Sequence, residues 1–419
     1  MSKKGLNRWF VLFILSLACG LIYQLPYLRY SYYDSMIVAF NVTNTQLGTF
    51  MTAFGLGSLV CYLIGGVLAM KFSDKALLPL GQILTGAAGL WFATFPSYGI
   101  CLFISFFWAF STSLIFWPAV INFVRGMGDS KEQGRLYGLF EGLRGITATI
   151  IGLGIVALFN GALSETAGLR TVILAYAIIN IVLGIITFFV VPNNKEEKKA
   201  LSAASGEQLS LGAGFMKALK LPITWIASGI VFCTMMVFDC LGYTTPYLTG
   251  VMGATVVFAA TFGTIRTWGL QIVGGTCGGI IADKIGSSAK TLIGAFVVIG
   301  IGFAALALLP AGSFWVATIL ILVFGIAIYV NRGVYFAVLD EAKVPASINA
   351  AVVGIVSAIG FTPDAFIYTV IGYWLDKYPG ATGYQITFWC GTICAAVGVI
   401  LSIIAVKVIK NNKSKVTSE

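Results

Sequence analysis

KFSDK (residues 71–75) and IIADK (residues 280–284) each set an Asp-Lys pair just past a long apolar run, and Asp74 and Asp283 stand 209 positions apart (283 − 74 = 209). The same offset relates Glu132 of the Lys131-Glu132 pair to Glu341 of Asp340-Glu341, and Asn122 to Asn331. A chain of 419 residues is therefore two halves of about one length.

The composition says what those halves are dissolved in. Hydrophobic residues make up 58% of the chain and charged ones 10%, and mean hydropathy is +0.93. A soluble globule carries roughly 25% charged residues, so this solvent is lipid. Twelve apolar runs of about 20 residues, each long enough to cross a bilayer core, follow one another with short polar breaks. They cover 9–36, 46–70, 77–95, 98–124, 136–159, 171–191, 223–248, 255–282, 291–309, 314–338, 350–375 and 387–408. All are expected to be helices, because a barrel would show alternating segments of about ten residues instead. Parallel repeats in such a chain imply a membrane carrier whose site lies between its halves. The expected organisation is residues 1–192 as a first six-helix half, 193–220 as a cytoplasmic linker, and 221–419 as a second six-helix half.

Of the 26 Lys and Arg residues, four fall more than two residues inside spans (Arg29, Arg144, Arg266, Arg332), and Arg170 and Lys377 fall in loops on the side away from the termini. The other twenty lie on or next to the side carrying both termini, which the positive-inside rule makes cytoplasmic. The net charge of +10 thus reports topology. No basic cluster is interleaved with aromatics on a soluble face, so nucleic acid is not an expected partner. The first span follows Lys3, Lys4 and Arg8 without a small-residue cleavage site and is expected to be retained.

Eight cysteines lie scattered without CxxC spacing and read as small packing residues. Cys390 and Cys394 share one helix face, but the chain has no His to complete a typical metal site, and neither metal nor cofactor is expected. Without His, any proton coupling falls to carboxylates.

In GGIIADKIGSSAK (residues 278–290), Gly279 precedes Asp283 by four positions, Lys284 follows, and Gly286 comes before Lys290. This resembles the loop signature of the major facilitator superfamily. The resemblance implies that Gly279 permits close helix packing and that Asp283-Lys284 caps and pins helix ends at a cytoplasmic gate. The first copy keeps Asp74 and Lys75 but has Met70 where the glycine would stand. The alternative is that these loop acids only cap and solvate helix ends.

Trp117-Pro118, SKEQGR (residues 130–135) and SDKALLPLG (residues 73–81) are similar to the organic-phosphate antiporter branch. PYLRYSYYD (residues 26–34) and FTPDAF (residues 361–366) are similar to YihN-like inner-membrane facilitators. Carried over from the SKEQGR loop, a functional histidine of the antiporter branch falls on Arg144, which keeps a basic group. The branch's arginine in the first span falls on Tyr23 counted from Arg8-Trp9, or near Arg29 counted back from Leu47-Gly48. Its second arginine falls near Phe238 and Asp239, and that departure puts phosphate-ester transport in question.

An ionisable side chain inside a span costs at least ~2.5 kcal/mol, so it faces a cavity or a partner. Seven are clear of the span ends: Arg29, Glu141 and Arg144 in the first half, and Asp239, Arg266, Arg332 and Asp364 in the second. Glu141 and Arg144, three apart, share a helix face. They form either a local neutral pair or an arginine that Glu141 holds for an anionic ligand, because guanidinium matches carboxylate, phosphate or sulfonate bidentately. Arg29 is the better anion candidate if it faces the central cavity; with Asp34 nearby, a position at the periplasmic mouth is the alternative. Counted at 1.5 Å per residue, Asp239, Arg266 and Asp364 lie at one depth, as a proton-carrying network or a buried structural lock requires. Arg332 lies near the cytoplasmic end of its span, where snorkelling or pairing with Asp340 or Glu341 is the expectation, with the charge network as the alternative. Tyr23, Tyr27, Tyr30 and Trp117 flank the supposed cavity as further contacts.

The reading this supports is a secondary transporter of a small organic anion, phosphorylated, carboxylated or sulfonated, working by alternating access with proton coupling or exchange. A proton-driven drug or lipid exporter of the same fold, or a ligand sensor that does not transport, is the alternative. No GxxxxGK[ST] motif is present to couple ATP, and no Ser/His, HExxH or paired-aspartate arrangement supports an intramembrane enzyme. The expected partners are a small anionic solute, protons and membrane lipids. The expected state is a monomer, multi-pass in a bacterial plasma (inner) membrane.

Overall fold

A computed structural model describes residues 8–128, 132–194 and 211–417. Most of the expected linker, residues 195–210, lies outside the described residues, as do Lys3, Lys4 and Lys131. The described chain is almost entirely helical: α1 (Arg8–Ile22), α2 (Arg29–Phe40), α3 (Asn44–Lys71), α4 (Asp74–Phe92), α5 (Tyr98–Ala109), α6 (Trp117–Arg125), α7 (Gln133–Asn160) and α8 (Glu165–Val190) come first. They are followed by α9 (Leu211–Leu219), α10 (Pro222–Gly242), α11 (Thr244–Gly250), α12 (Val256–Thr264), α13 (Leu270–Ile285) and α14 (Ser288–Leu308). The last are α15 (Phe314–Val334), α16 (Ala337–Glu341), α17 (Ala346–Gly360), α18 (Ile367–Lys377) and α19 (Ala381–Thr417).

Eight helical stretches among the described residues are long and apolar enough to cross a membrane. Four of the twelve expected spans, 9–36, 46–70, 77–95 and 350–375, are not among these eight, and the first and last of the four are broken. Span 9–36 is interrupted at residues 23–28, where Pro26 cannot donate to the helical ladder. Span 350–375 gives way to a 3-10 turn, Thr362–Ala365, with Pro363 in it and Asp364 on it. Two other spans are continuous but loosened. A π-helical turn, Phe110–Phe116, lies immediately before Pro118, and a second, Ile265–Gly269, carries Arg266. Such wide turns re-aim side chains and free carbonyls for other partners.

Helix starts follow local chemistry. Asn41, in the left-handed region, turns the chain into a capping box in which Gln46 N donates to Thr43 Oγ1 (3.2 Å) and Thr43 N to Gln46 Oε1 (3.0 Å). Ser164, Thr255 and Ser287 each accept from the first turn of α8, α12 and α14.

Packing gives two compact units, residues 1–206 with 255–272, and residues 207–254 with 273–419. In the first, α1 packs on α7, α3 on α5, α4 on α8, and α12 on α2 and α7. Glycines set the spacing: a Cβ on Gly20 would fall 2.7 Å from the Arg144 carbonyl oxygen, so α1 rides directly on the turn of α7 that carries the arginine. In the second unit α14 packs on α15 and α19, and α10 on α17 and α19. Phe103, Ile150, Phe189, Ile301 and Ile393 are exposed while Asp74, Asp239, Arg266 and Asn331 are buried, the distribution expected when the solvent is lipid.

Candidate functional site

Arg144 sits on α7 with its side chain only 12% exposed. Its Nη1 donates to both oxygens of Glu141, at 3.2 Å each. The three-residue spacing on one helix face makes this pairing, as the sequence implies. Glu141 is also held from α13, where Gln271 Nε2 donates to Glu141 Oε2 at 2.9 Å. Two aromatic rings complete the surround, Tyr23 at 5.5 Å and Trp117 at 5.4 Å from the guanidinium carbon. Tyr23 and Trp117 meet edge to face at 6.2 Å, and Tyr23, Tyr27 and Tyr30 form a stacked ladder at 5.8 and 5.4 Å. The ladder runs through the non-helical turn at 23–28, so the break in span 9–36 is what lines these rings up.

Arg29 lies elsewhere in this unit. It is 2% exposed, its guanidinium stands over the Tyr33 ring at 5.1 Å, and it lines a pocket with Pro26, Phe50, Phe54 and Trp108 that shares no residue with the Arg144 cluster.

Of the groups expected in one layer, Arg266 falls in the first compact unit and Asp239 and Asp364 in the second. Arg266, on the π-turn, makes its contacts within the first unit: Nη2 donates to the Tyr30 carbonyl (3.2 Å) and Thr267 Oγ1 (3.3 Å). Gly263 beneath it would place a Cβ 2.5 Å from that same carbonyl oxygen, so only glycine admits this approach. Asp239 and Asp364 belong to the second unit, as does Arg332. Arg332 stacks over Phe238 at 4.1 Å. Glu341, one of the partners expected for Arg332, accepts from Ala289 N at 3.1 Å, at the start of α14. Tyr368 OH donates to Asp239 Oδ1 at 2.6 Å, and Tyr243 OH to the Tyr368 carbonyl at 2.7 Å.

The two Asp-Lys loops also differ from expectation. The first copy, which lacks the glycine, is the buried one. Asp74 is 0% exposed; Asn194 Nδ2 donates to Asp74 Oδ2 (2.6 Å), Asp74 N donates back to Asn194 Oδ1 (3.0 Å), and Lys75 stands over Phe188 at 5.0 Å. Asp283 and Lys284, in the regular copy, are exposed at the end of α13. Gly279 is not the packing glycine: a Cβ there would meet open space, whereas on Gly278 it would fall 2.9 Å from the Val330 carbonyl oxygen. Adjacent helical residues point about 100° apart, so a one-residue difference exchanges the packed face for the open one.

Gln271, Tyr368, Tyr243 and Asn194 escape a search for charges because they are neutral. Their signal was position: Tyr368 lies four residues after Asp364 and Gln271 five after Arg266, within apolar spans.

The sequence profile described as Major Facilitator Superfamily matches residues 8–347. The chain belongs to the Major Facilitator Superfamily. It is 33% identical over 409 residues to the inner membrane protein YqcE of Escherichia coli K12, covering 96% of this chain and 95% of that one. To the inner membrane protein YihN of the same organism it is 31% identical over 418 residues, covering 99% and 98%. Its fold matches the crystal structure of a bacterial homologue of the human lysosomal transporter Spinster, with a TM-score of 0.77 at 15% identity over 98% of this chain and 99% of that one. The major facilitator fold and the membrane-spanning character expected from the sequence are thereby established, and the chain is of a solute-transporter type.

Proposed function

We propose that this protein is a secondary transporter that moves a small organic anion across a bacterial plasma membrane by alternating access. The observation that carries the reading is Arg144: a guanidinium held within a span by Glu141, itself held by Gln271, with Tyr23 and Trp117 around it. A buried arginine kept in place by a weak pair at 3.2 Å can exchange part of that pair for a ligand carboxylate, sulfonate or phosphate. The membrane assignment is supported by the names of both curated relatives, which are inner membrane proteins.

Coupling to protons is the second part of the proposal, with Asp239 and Asp364 as the pair that gains and loses the proton, Arg332 as the counter-charge and Tyr368 as the group that orients Asp239. Arg29 and Arg266, with Tyr27, act on the first unit's shape around the ladder, and Asp74-Lys75 and Asp283-Lys284 act at the cytoplasmic ends of their helices.

A thermal-shift screen of the purified protein against phosphorylated, carboxylated and sulfonated small metabolites tests the anion reading, because a ligand that binds only the folded state stabilises it by mass action. At least one anion is expected to raise the melting temperature of the wild type and not that of Arg144→Gln. A ligand that stabilises both proteins equally removes Arg144 from the site.

A further inference from the structure

We infer that the ligand of the Arg144 site is a small zwitterion, carrying an ammonium group one to three carbons from its anionic group. The inference rests on the anion reading of Arg144 and narrows it. In this cluster the guanidinium and carboxylate stand 3.2 Å apart, so the pair is neutral as a whole. An anion docking on Arg144 must lie almost as close to Glu141 as to the arginine, and at such similar separations repulsion offsets most of the attraction. Glu141 is not placed to withdraw, because Gln271 Nε2, a neutral donor, holds its Oε2 at 2.9 Å.

The exposures point the same way. Arg144 has 12% of its side chain open and Glu141 has 41%, so the acid is the more accessible pole of the pair. A site built for a pure anion would bury the acid and present the base. A zwitterion lying antiparallel to the Arg144–Glu141 dipole places its anionic group on the guanidinium and its ammonium on the carboxylate. Four alternating charges then attract along every edge.

Matched pairs of ligands differing only in ammonium for hydroxyl test this on the full-length protein in detergent: taurine and isethionate, alanine and lactate, O-phosphoethanolamine and 2-hydroxyethyl phosphate. Binding is read by calorimetry on wild type, Glu141→Gln and Arg144→Gln. In at least one pair the zwitterion is expected to bind wild type roughly tenfold or more tightly than its hydroxyl twin, with Glu141→Gln levelling the two and Arg144→Gln losing both. If the hydroxyl twin binds as well or better in every pair and Glu141→Gln tightens it, the zwitterion inference fails while the anion reading stands. Binding that survives Arg144→Gln, or no binding by any of the six compounds to wild type, overturns both. The wild-type comparison needs no variant to fold.

Discussion

A charge inside a lipid-facing protein must be answered within a few ångströms, and each buried charge here is best understood from what answers it. Arg144 is answered by Glu141 and two rings, Arg266 by the Tyr30 carbonyl, and Asp239 by the Tyr368 hydroxyl. Asp239→Asn keeps an acceptor for Tyr368 but cannot release a proton. It is expected to abolish accumulation driven by a proton gradient in proteoliposomes while sparing counterflow exchange of substrate. Equal loss of both would make the acid pair a structural lock. At this scale the sequence was partly legible. Rise per residue gave an expected depth for Asp239, Arg266 and Asp364 but not their partners, the Tyr30 carbonyl for Arg266 and the Tyr368 hydroxyl for Asp239. The i, i+3 pair of Glu141 and Arg144 needed no tertiary information, and it is in place.

At the scale of elements, the breaks matter more than the helices. Pro26 opens span 9–36 where the tyrosine ladder forms, Pro118 follows the π-turn that leads to Trp117, and Pro363 sets the 3-10 turn that bears Asp364. Apolar length announced the spans, but prolines within them do not say which kind of break results, because neighbouring helices decide how the freed carbonyls are satisfied. The Asp74–Asn194 clasp ties the start of α4 to the chain leaving α8. Asn194→Ala removes both of its hydrogen bonds and leaves a buried carboxylate short of a donor, a loss of about 1–3 kcal/mol. A lowered melting temperature in detergent is the expected result, and an unchanged one would show that Asp74 finds another donor. The regular copy predicts the opposite: Asp283, exposed at the end of α13, loses little when changed to Asn.

For the whole molecule, the 209-residue offset accounts for the scaffold and not for the chemistry. Its acids do parallel work in each unit, Glu132 bridging to Arg8 at the start of α1 (3.0 Å) and Glu341 capping the start of α14 (3.1 Å). The charge clusters differ: an arginine held by one acid in the first unit, and two acids with one arginine in the second. The distribution of basic residues predicts that both termini face the cytoplasm. A fluorescent protein fused at either end should therefore fluoresce and alkaline phosphatase at the same sites should be inactive; active phosphatase at either terminus would overturn the orientation.

The most direct test of the account is uptake of a binding anion into proteoliposomes by wild type and by Arg144→Gln, both shown to be folded by their elution and melting behaviour. Transport by wild type and its loss in the folded variant is the predicted result; undiminished transport by Arg144→Gln would contradict it.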